Sequence, residues 1–217
     1  MDLIGRKPRQ RAYGQDQTLT KVDRFGVWLS SLQINRHVPT FAGKRVADIG
    51  CGYNAKFART LLDRVEHLIL LDVALDPSLK ADPRVTAIEG VIPEALSSIA
   101  DGGTDILICN SVVEHLWDPV VALTEFHRIL AAGGLALINV PSWRGKYFLE
   151  LSAFRLGKSP ADEMNDHKMY YNPRDLWPLL VKAGFMPRDI RCFRHKFGLN
   201  TFAVCATAPT SSRGKEG

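Results

Sequence analysis

The 217-residue sequence is 46% hydrophobic, enough for one α/β domain with a full core, and no apolar run approaches the length that crosses a bilayer. Its net charge of +5 is uneven: residues 1–45 hold nine Lys/Arg against three acids, and residues 46–217 hold 19 against 20. No repeated basic helix or aromatic stacking array accompanies that excess, which argues against a nucleic-acid binder.

The chain begins Met-Asp and turns basic without the apolar centre of a secretory signal, which points to a cytoplasmic protein. Residues 1–16, with Arg6, Lys7, Arg9 and Arg11, read as a basic flexible arm. Two readings stay open for it: contact with an anionic partner, or a solvated arm. Residues 17–38 form the first helical pattern, with Leu19, Val22, Phe25, Leu29, Leu32 and Val38 near one face and Trp28 beside it. That face is expected to pack on the sheet or to cover the ligand pocket.

Val46, Ala47 and Ile49 make a short apolar strand that runs into Gly50-Cys51-Gly52, and Phe57, Ala58, Leu61, Leu62 and Val65 continue at helical spacing. Strand, glycine turn and helix bring backbone close to a cofactor at the carboxyl end of a sheet. Gly50 to Ala55 also fits the loose dinucleotide fingerprint, but Asp48 sits two residues before the first glycine. A carboxylate there would repel a pyrophosphate and suits a cationic ligand, which favours S-adenosylmethionine over NAD.

His67 to Val73 reads as a central parallel strand. Asp72 lies 20 residues beyond Gly52, where one carboxylate can accept from both ribose hydroxyls. Arg84 to Ile88 is a third strand, followed by Gly90-Val91-Ile92 at the height expected for adenine, and Glu94 to Ala100 form a short helix. Thr104 to Cys109 is the fourth strand and exits through Asn110-Ser111. A helix from Val120 to Ala132 and a fifth strand from Leu135 to Val140 complete a doubly wound, mostly parallel sheet.

These residues together resemble the class I S-adenosylmethionine-dependent methyltransferases. The matching stretches are Val46 to Gly52, Leu71-Asp72, Ile88 to Gly90, Asp105 to Asn110, Val113 to His115 and Arg128 to Gly134, over about residues 44–208. The resemblance is nearest to the small-molecule subgroup that includes the ubiquinone-type O-methyltransferases. It implies a Rossmann-like seven-stranded sheet with a C-terminal antiparallel hairpin and helices on both faces. It also implies S-adenosylmethionine contacts from Asp48, Gly50, Cys51, Gly52, Asp72, Val73, Val91, Ile92 and Asn110. Two departures stand out. Val91 replaces a side chain that could accept from adenine, and Ser111 stands where metal-assisted relatives carry a first Glu before Glu114-His115. The loss of that hard oxygen ligand leads to an expectation of no metal.

Residues 143–171 break the βα rhythm and read as a lid or substrate insert, with Trp143, Tyr147, Phe148, Phe154, Arg155, Lys158 and His167 suited to an aromatic or anionic small acceptor. A hydroxyl acceptor gains from a general base, for which His115 and His167 are the two candidates. For His115 the alternative is a helix-start residue bonded to backbone. Asn172-Pro173 opens a helix to Ala183; Arg188–Lys196 and Thr201–Thr207 pair as the hairpin, and residues 209–217 read as a disordered tail. Residues 17–208 thus form a single domain. Cys51, Cys109, Cys192 and Cys205 show no Cys-x-x-Cys pair and read as reduced thiols. A dinucleotide oxidoreductase and a non-catalytic S-adenosylmethionine-binding module remain as alternatives, with a nucleic-acid methyltransferase a weaker fourth.

Overall fold

Apolar runs with no polar alternation need cover on both faces, and these become the central strands. In the computed structural model, which describes residues 11–15, 21–150 and 167–209, the strands are β1 (Arg45–Ile49), β2 (His67–Asp72), β3 (Val85–Glu89), β4 (Thr104–Asn110), β5 (Leu130–Pro141), β6 (Ile190–His195) and β7 (Asn200–Ala206). They form one sheet in the order β3-β2-β1-β4-β5-β7-β6. β1 to β5 pair in parallel, and β7 runs antiparallel to both β5 and β6. This is the Rossmann-like, seven-stranded arrangement expected, hairpin included.

Strand order reverses at β1, which is flanked by β2 and β4, so the crevice for a ligand opens at the carboxyl ends of β1 and β4. Alternation along β1 sends Ala47 and Ile49 to one core layer and Val46 to the other. The first layer holds Phe126 of α4 (Pro119–Ile129) and Leu176 and Leu180 of α6 (Pro173–Lys182). The second holds Ile34 of α1 (Lys21–His37), with Val38, Phe41 and Leu61.

Local chemistry explains the helix ends. Asp118 accepts from the Val120 amide at 3.1 Å, and Pro119 occupies the first turn, where its missing N–H costs nothing. At the other end of α4, Arg128 donates to the carbonyls of Ile99 and Leu96 at 2.9 and 3.0 Å and binds Glu125. This clamps the helix to the loop before β4. The Asp175 carboxylate accepts from the Asn172 amide at 2.9 Å, closing the first turn of α6.

Three expectations shift. The helix expected after the glycine turn shrinks to α2 (Lys56–Arg59), because residues 60–64 form turns; Ala58 and Leu61 are nevertheless buried. α3 (Pro77–Lys80) is a further short helix, and residues 94–98 form a 3-10 turn. The apolar face expected over residues 17–38 is buried only in part: Val38, just past α1, is buried as expected, but Ser30 and Ile34 are the buried positions within α1, whereas Phe25, Leu32 and the neighbouring Trp28 are exposed. Both stripes fit helical spacing, and the sheet accepted the narrower one. Among the described residues no helix is long and apolar enough to cross a membrane. The arm up to residue 10, most of the 143–171 insert (Phe154, Arg155 and Lys158 included) and the tail beyond 209 lie outside the described residues.

Phe126 is fully buried at the centre of the first layer. Phe126→Ala should cost about 3–5 kcal/mol, read as a lowered urea midpoint with little change in slope. A loss below about 1 kcal/mol would mean that the layer closes over the cavity.

Candidate active site

The site begins with a backbone constraint. Gly50 and Gly52 both adopt left-handed conformations, with φ of 70° and 75°. A Cβ on Gly50 would lie 2.1 Å from Val112 Cγ2, so the turn fits beneath the chain leaving β4 because it has no side chain. The Gly50 amide donates to the Leu71 carbonyl at 2.7 Å, holding the ends of β1 and β2 together.

That closure gathers two acids. Asp72 takes the Gly52 amide on Oδ2 at 2.7 Å and the Val73 amide on Oδ1 at 2.8 Å. The two amides fix the orientation of a carboxylate, the group type that accepts from hydroxyl donors. Asp48 is buried, and its carboxyl is pushed up to about 7, first by burial and then by the nearby Asp72 charge. Among the described residues Asp48 has no cationic partner to offset its burial. A ligand with a fixed positive charge would, so the donor set fits a sulfonium and ammonium carrier and disfavours a pyrophosphate. Cys51 is half-buried in the turn, its thiol pushed well up by burial.

The remaining cofactor candidates border the same edge. The Gly90 amide bonds the Asp72 carbonyl at 3.0 Å, bringing the loop after β3 beside β2. In that loop Ile92 packs on the core, whereas Val91 is exposed. Asn110 ends β4 with its Oδ1 buried and, among the described residues, without a hydrogen-bond partner. This is an acceptor awaiting a donor.

Beyond Asn110 the chain turns through Ser111, left-handed at φ 56°, into a 3-10 turn over Val113–His115. Glu114 is fully buried there, and burial raises its carboxyl to about 7 against the pull of His115, Ser111 and Lys196. Among the described residues neither carboxylate oxygen has a partner at good hydrogen-bond geometry, Ser111 being near enough only to draw the carboxyl down. The Glu114 carbonyl accepts from the amides of Lys168 (2.7 Å) and Met169 (3.3 Å), which ties the end of the insert to the exit of β4. The two histidines considered as alternatives thereby meet, with ring centroids of His115 and His167 4.7 Å apart. His167 Nδ1 lies 3.1 Å from the Tyr170 hydroxyl. Ligand atoms of Glu114, His115 and His167 all fall within 4.8 Å of one another, a set able to hold a metal ion. The expectation of no metal rested on Ser111; it did not foresee His167 arriving from 52 residues away.

A family profile described as "Methyltransferase domain" matches residues 23–189. The chain belongs to that family. A protein of Mycolicibacterium smegmatis named "Probable S-adenosylmethionine-dependent methyltransferase" is 29% identical over 163 residues, covering 73% of this chain and 58% of its own. The "Ubiquinone biosynthesis O-methyltransferase" of Aeromonas salmonicida is 27% identical over 158 residues, covering 68% and 65%. The chain thus spans less than two thirds of either relative. A solved S-adenosylmethionine-dependent methyltransferase from Archaeoglobus fulgidus shares the fold, with a TM-score of 0.60 at 17% identity, over 83% of this chain and 94% of that one.

Several methyltransferase-site neighbours had no signal in the sequence. Lys196, in the β6–β7 turn, is half-buried, its ammonium brought down to about 8 by desolvation and held up in part by Glu114. Tyr171 is buried and its hydroxyl pushed up to about 12, by burial first and then by Glu114. At the cofactor end, residues 11–15 are not a free arm. The Tyr53 amide donates to the Tyr13 carbonyl at 3.0 Å, Asn54 Nδ2 donates to the Gly14 carbonyl at 3.1 Å, and Ala12 is buried. A polar, glycine-containing stretch carries no periodicity by which this docking could be read.

Gly50→Ala should abolish cofactor binding, because both the backbone angle and the Val112 contact forbid a Cβ; retained binding by calorimetry would contradict this geometry. The raised acids also set a pH dependence. Between the ordinary carboxylate value of 3.8 and about 7, the unfolded chain ionises Asp48 while the ligand-free fold keeps it protonated. Stability therefore falls as pH rises through that window and levels off above it; Glu114 acts in the same sense. Asp48→Asn and Glu114→Gln should each flatten the fall in thermal midpoint, and an unchanged slope in both would refute the assignment.

Proposed function

We propose that this chain transfers a methyl group from S-adenosylmethionine to an oxygen or carbon of a small acceptor, aromatic or anionic in character. The observation that carries the reading is Asp48, a carboxyl buried at the end of β1 beside the glycine turn, its proton held up by burial and by the nearby Asp72. The family membership supports it, as do the relatives named for S-adenosylmethionine-dependent and O-methyl transfer. The four free cysteines support a reducing, cytoplasmic setting.

S-adenosylmethionine supplies a methyl group already activated on sulfonium. The chain's own residues bind, orient and remove a proton. Asp48 and Asn110 would receive the charged methionine end, Asp72 the ribose hydroxyls, and the loop at Val91 and Ile92 the adenine. Positioning is the main contribution to such a displacement, since the carbon needs no further activation. His115 and His167 then stand as general-base candidates for the acceptor hydroxyl. The Tyr170 contact fixes the His167 ring, and Glu114, pulled towards ionisation by His115, favours a protonated imidazole after transfer.

A second reading of the same side chains has its own observation: the mutual approach of Glu114, His115 and His167 within 4.8 Å would also suit a divalent cation. The two separate on chelation. Under the general-base reading, methyl transfer to phenols and catechols survives EDTA, whereas loss restored by a divalent metal would favour the cation.

The first test is calorimetry with S-adenosylmethionine, NAD and NADP. Micromolar binding of the first, lost in Asp72→Ala, is expected; tight NAD binding alone would overturn the proposal. His115→Ala and His167→Ala should lower kcat by about 10²–10⁴-fold with cofactor affinity little changed. Cofactor binding with no transfer across a broad acceptor panel would leave a binding module instead.

A further inference from the structure

The exposed face of α1 has a companion on the β6–β7 turn. Phe25, Trp28 and Leu32 follow one another at helical spacing, 51%, 54% and 49% exposed, and the Phe25 and Trp28 rings stack at 5.6 Å. Gly26 abuts the turn so closely that a Cβ there would lie 3.7 Å from Lys196 Nζ. The next residue, Phe197, is 81% exposed.

Phe197 is not a casual surface aromatic. Lys196 and Phe197 both hold left-handed backbone angles, φ 47° and 58°, a conformation that costs a side-chain-bearing residue of order 1 kcal/mol. The turn keeps this shape through bonds to the start of α5 (Trp143–Glu150): the Ser142 hydroxyl donates to the Gly198 carbonyl at 2.7 Å, and the Ser142 amide to Leu199 at 2.9 Å. A strained, well-braced turn thus presents a phenyl ring to solvent beside an apolar helical stripe.

Exposed arginines lie near these rings. A Cβ on Gly198 would lie 3.6 Å from Arg144 Nη1 and 3.9 Å from Arg194 Cδ, so two exposed arginines flank Phe197. Arg24 and Arg36, also exposed, stand towards the two ends of the α1 stripe. None of these four is in an ion pair among the described residues. Apolar rings bordered by exposed guanidiniums match an interface where acyl chains lie beneath anionic headgroups. We infer that α1 and the β6–β7 turn form a docking face for an anionic lipid bilayer, with Trp28 and Phe197 as its inserted anchors. The chain would lie on the surface, with no segment spanning it.

Vesicle flotation tests this without reference to any catalytic activity. The whole protein is mixed with vesicles of phosphatidylcholine alone, or of phosphatidylcholine with phosphatidylglycerol. Flotation with the anionic vesicles, weakened by salt, is expected. Trp28→Ser with Phe197→Ser should weaken it at least about tenfold, and Arg144→Ala with Arg194→Ala should remove the preference for anionic lipid. Thermal midpoints near the wild-type value keep these losses from being unfolding. The inference is overturned if the wild type floats with neither vesicle, or if the aromatic double variant binds as well as wild type. It is equally overturned if the face is occupied by a second copy, seen as a dimer in sedimentation that Trp28→Ser dissolves.

Discussion

The carboxyl edge of the sheet depends on a single close approach, Gly50 beneath Val112. A side chain at Gly50 would overlap the β4 exit outright, and its left-handed angle is one that other residues resist. Because the glycine passes, its amide reaches Leu71, the ends of β1 and β2 stay together, and Asp48 and Asp72 come to share one small volume. The pair of acids is a consequence of backbone packing before it is a binding device.

Burial then sets the electrostatics of the first of those acids. A carboxylate in water is indifferent to which cation approaches it; Asp48 in a buried position next to another negative group is not. Its proton is held up to about 7, and a fixed positive charge is the partner that relieves both the desolvation and the repulsion. The same arrangement opposes a pyrophosphate, whose charges would add to those already present. A glycine turn that resembles a dinucleotide site in its spacing is thereby turned to the opposite electrostatic purpose.

The acceptor end is organised by hydrogen bonds to one carbonyl. Glu114 receives the Lys168 and Met169 amides, so the polypeptide returning from the insert is fastened to the turn after β4. His167 is delivered to His115, Tyr170 braces His167, and the acid of Glu114 is sealed below them. The β6–β7 turn contributes Lys196 to the same neighbourhood while exposing Phe197 outward, so one strained turn faces both the site and the surrounding medium.

The sheet and its glycine turn were legible in the sequence because their causes are local. Continuous apolar runs specify buried parallel strands, glycine marks the close approach, and the spacing from Gly52 to Asp72 follows from the length of one crossover. The resemblance of the joint motif order added the hairpin. Contacts made by residues distant in sequence had no such local cause. Which stripe of α1 would be buried, with Ile34 inward and Trp28 outward, depended on the shape of the sheet it met. So did the docking of Tyr13 and Gly14 on the turn at Tyr53 and Asn54. The meeting of His115 with His167, and the half-burial of Lys196 near Glu114, required strands β4, β5 and β7 to be laid side by side. Residue type and period determined the elements and the class of ligand; which side chains face one another across the crevice was decided by tertiary packing, because burial and long-range hydrogen bonding act between segments that no local pattern relates.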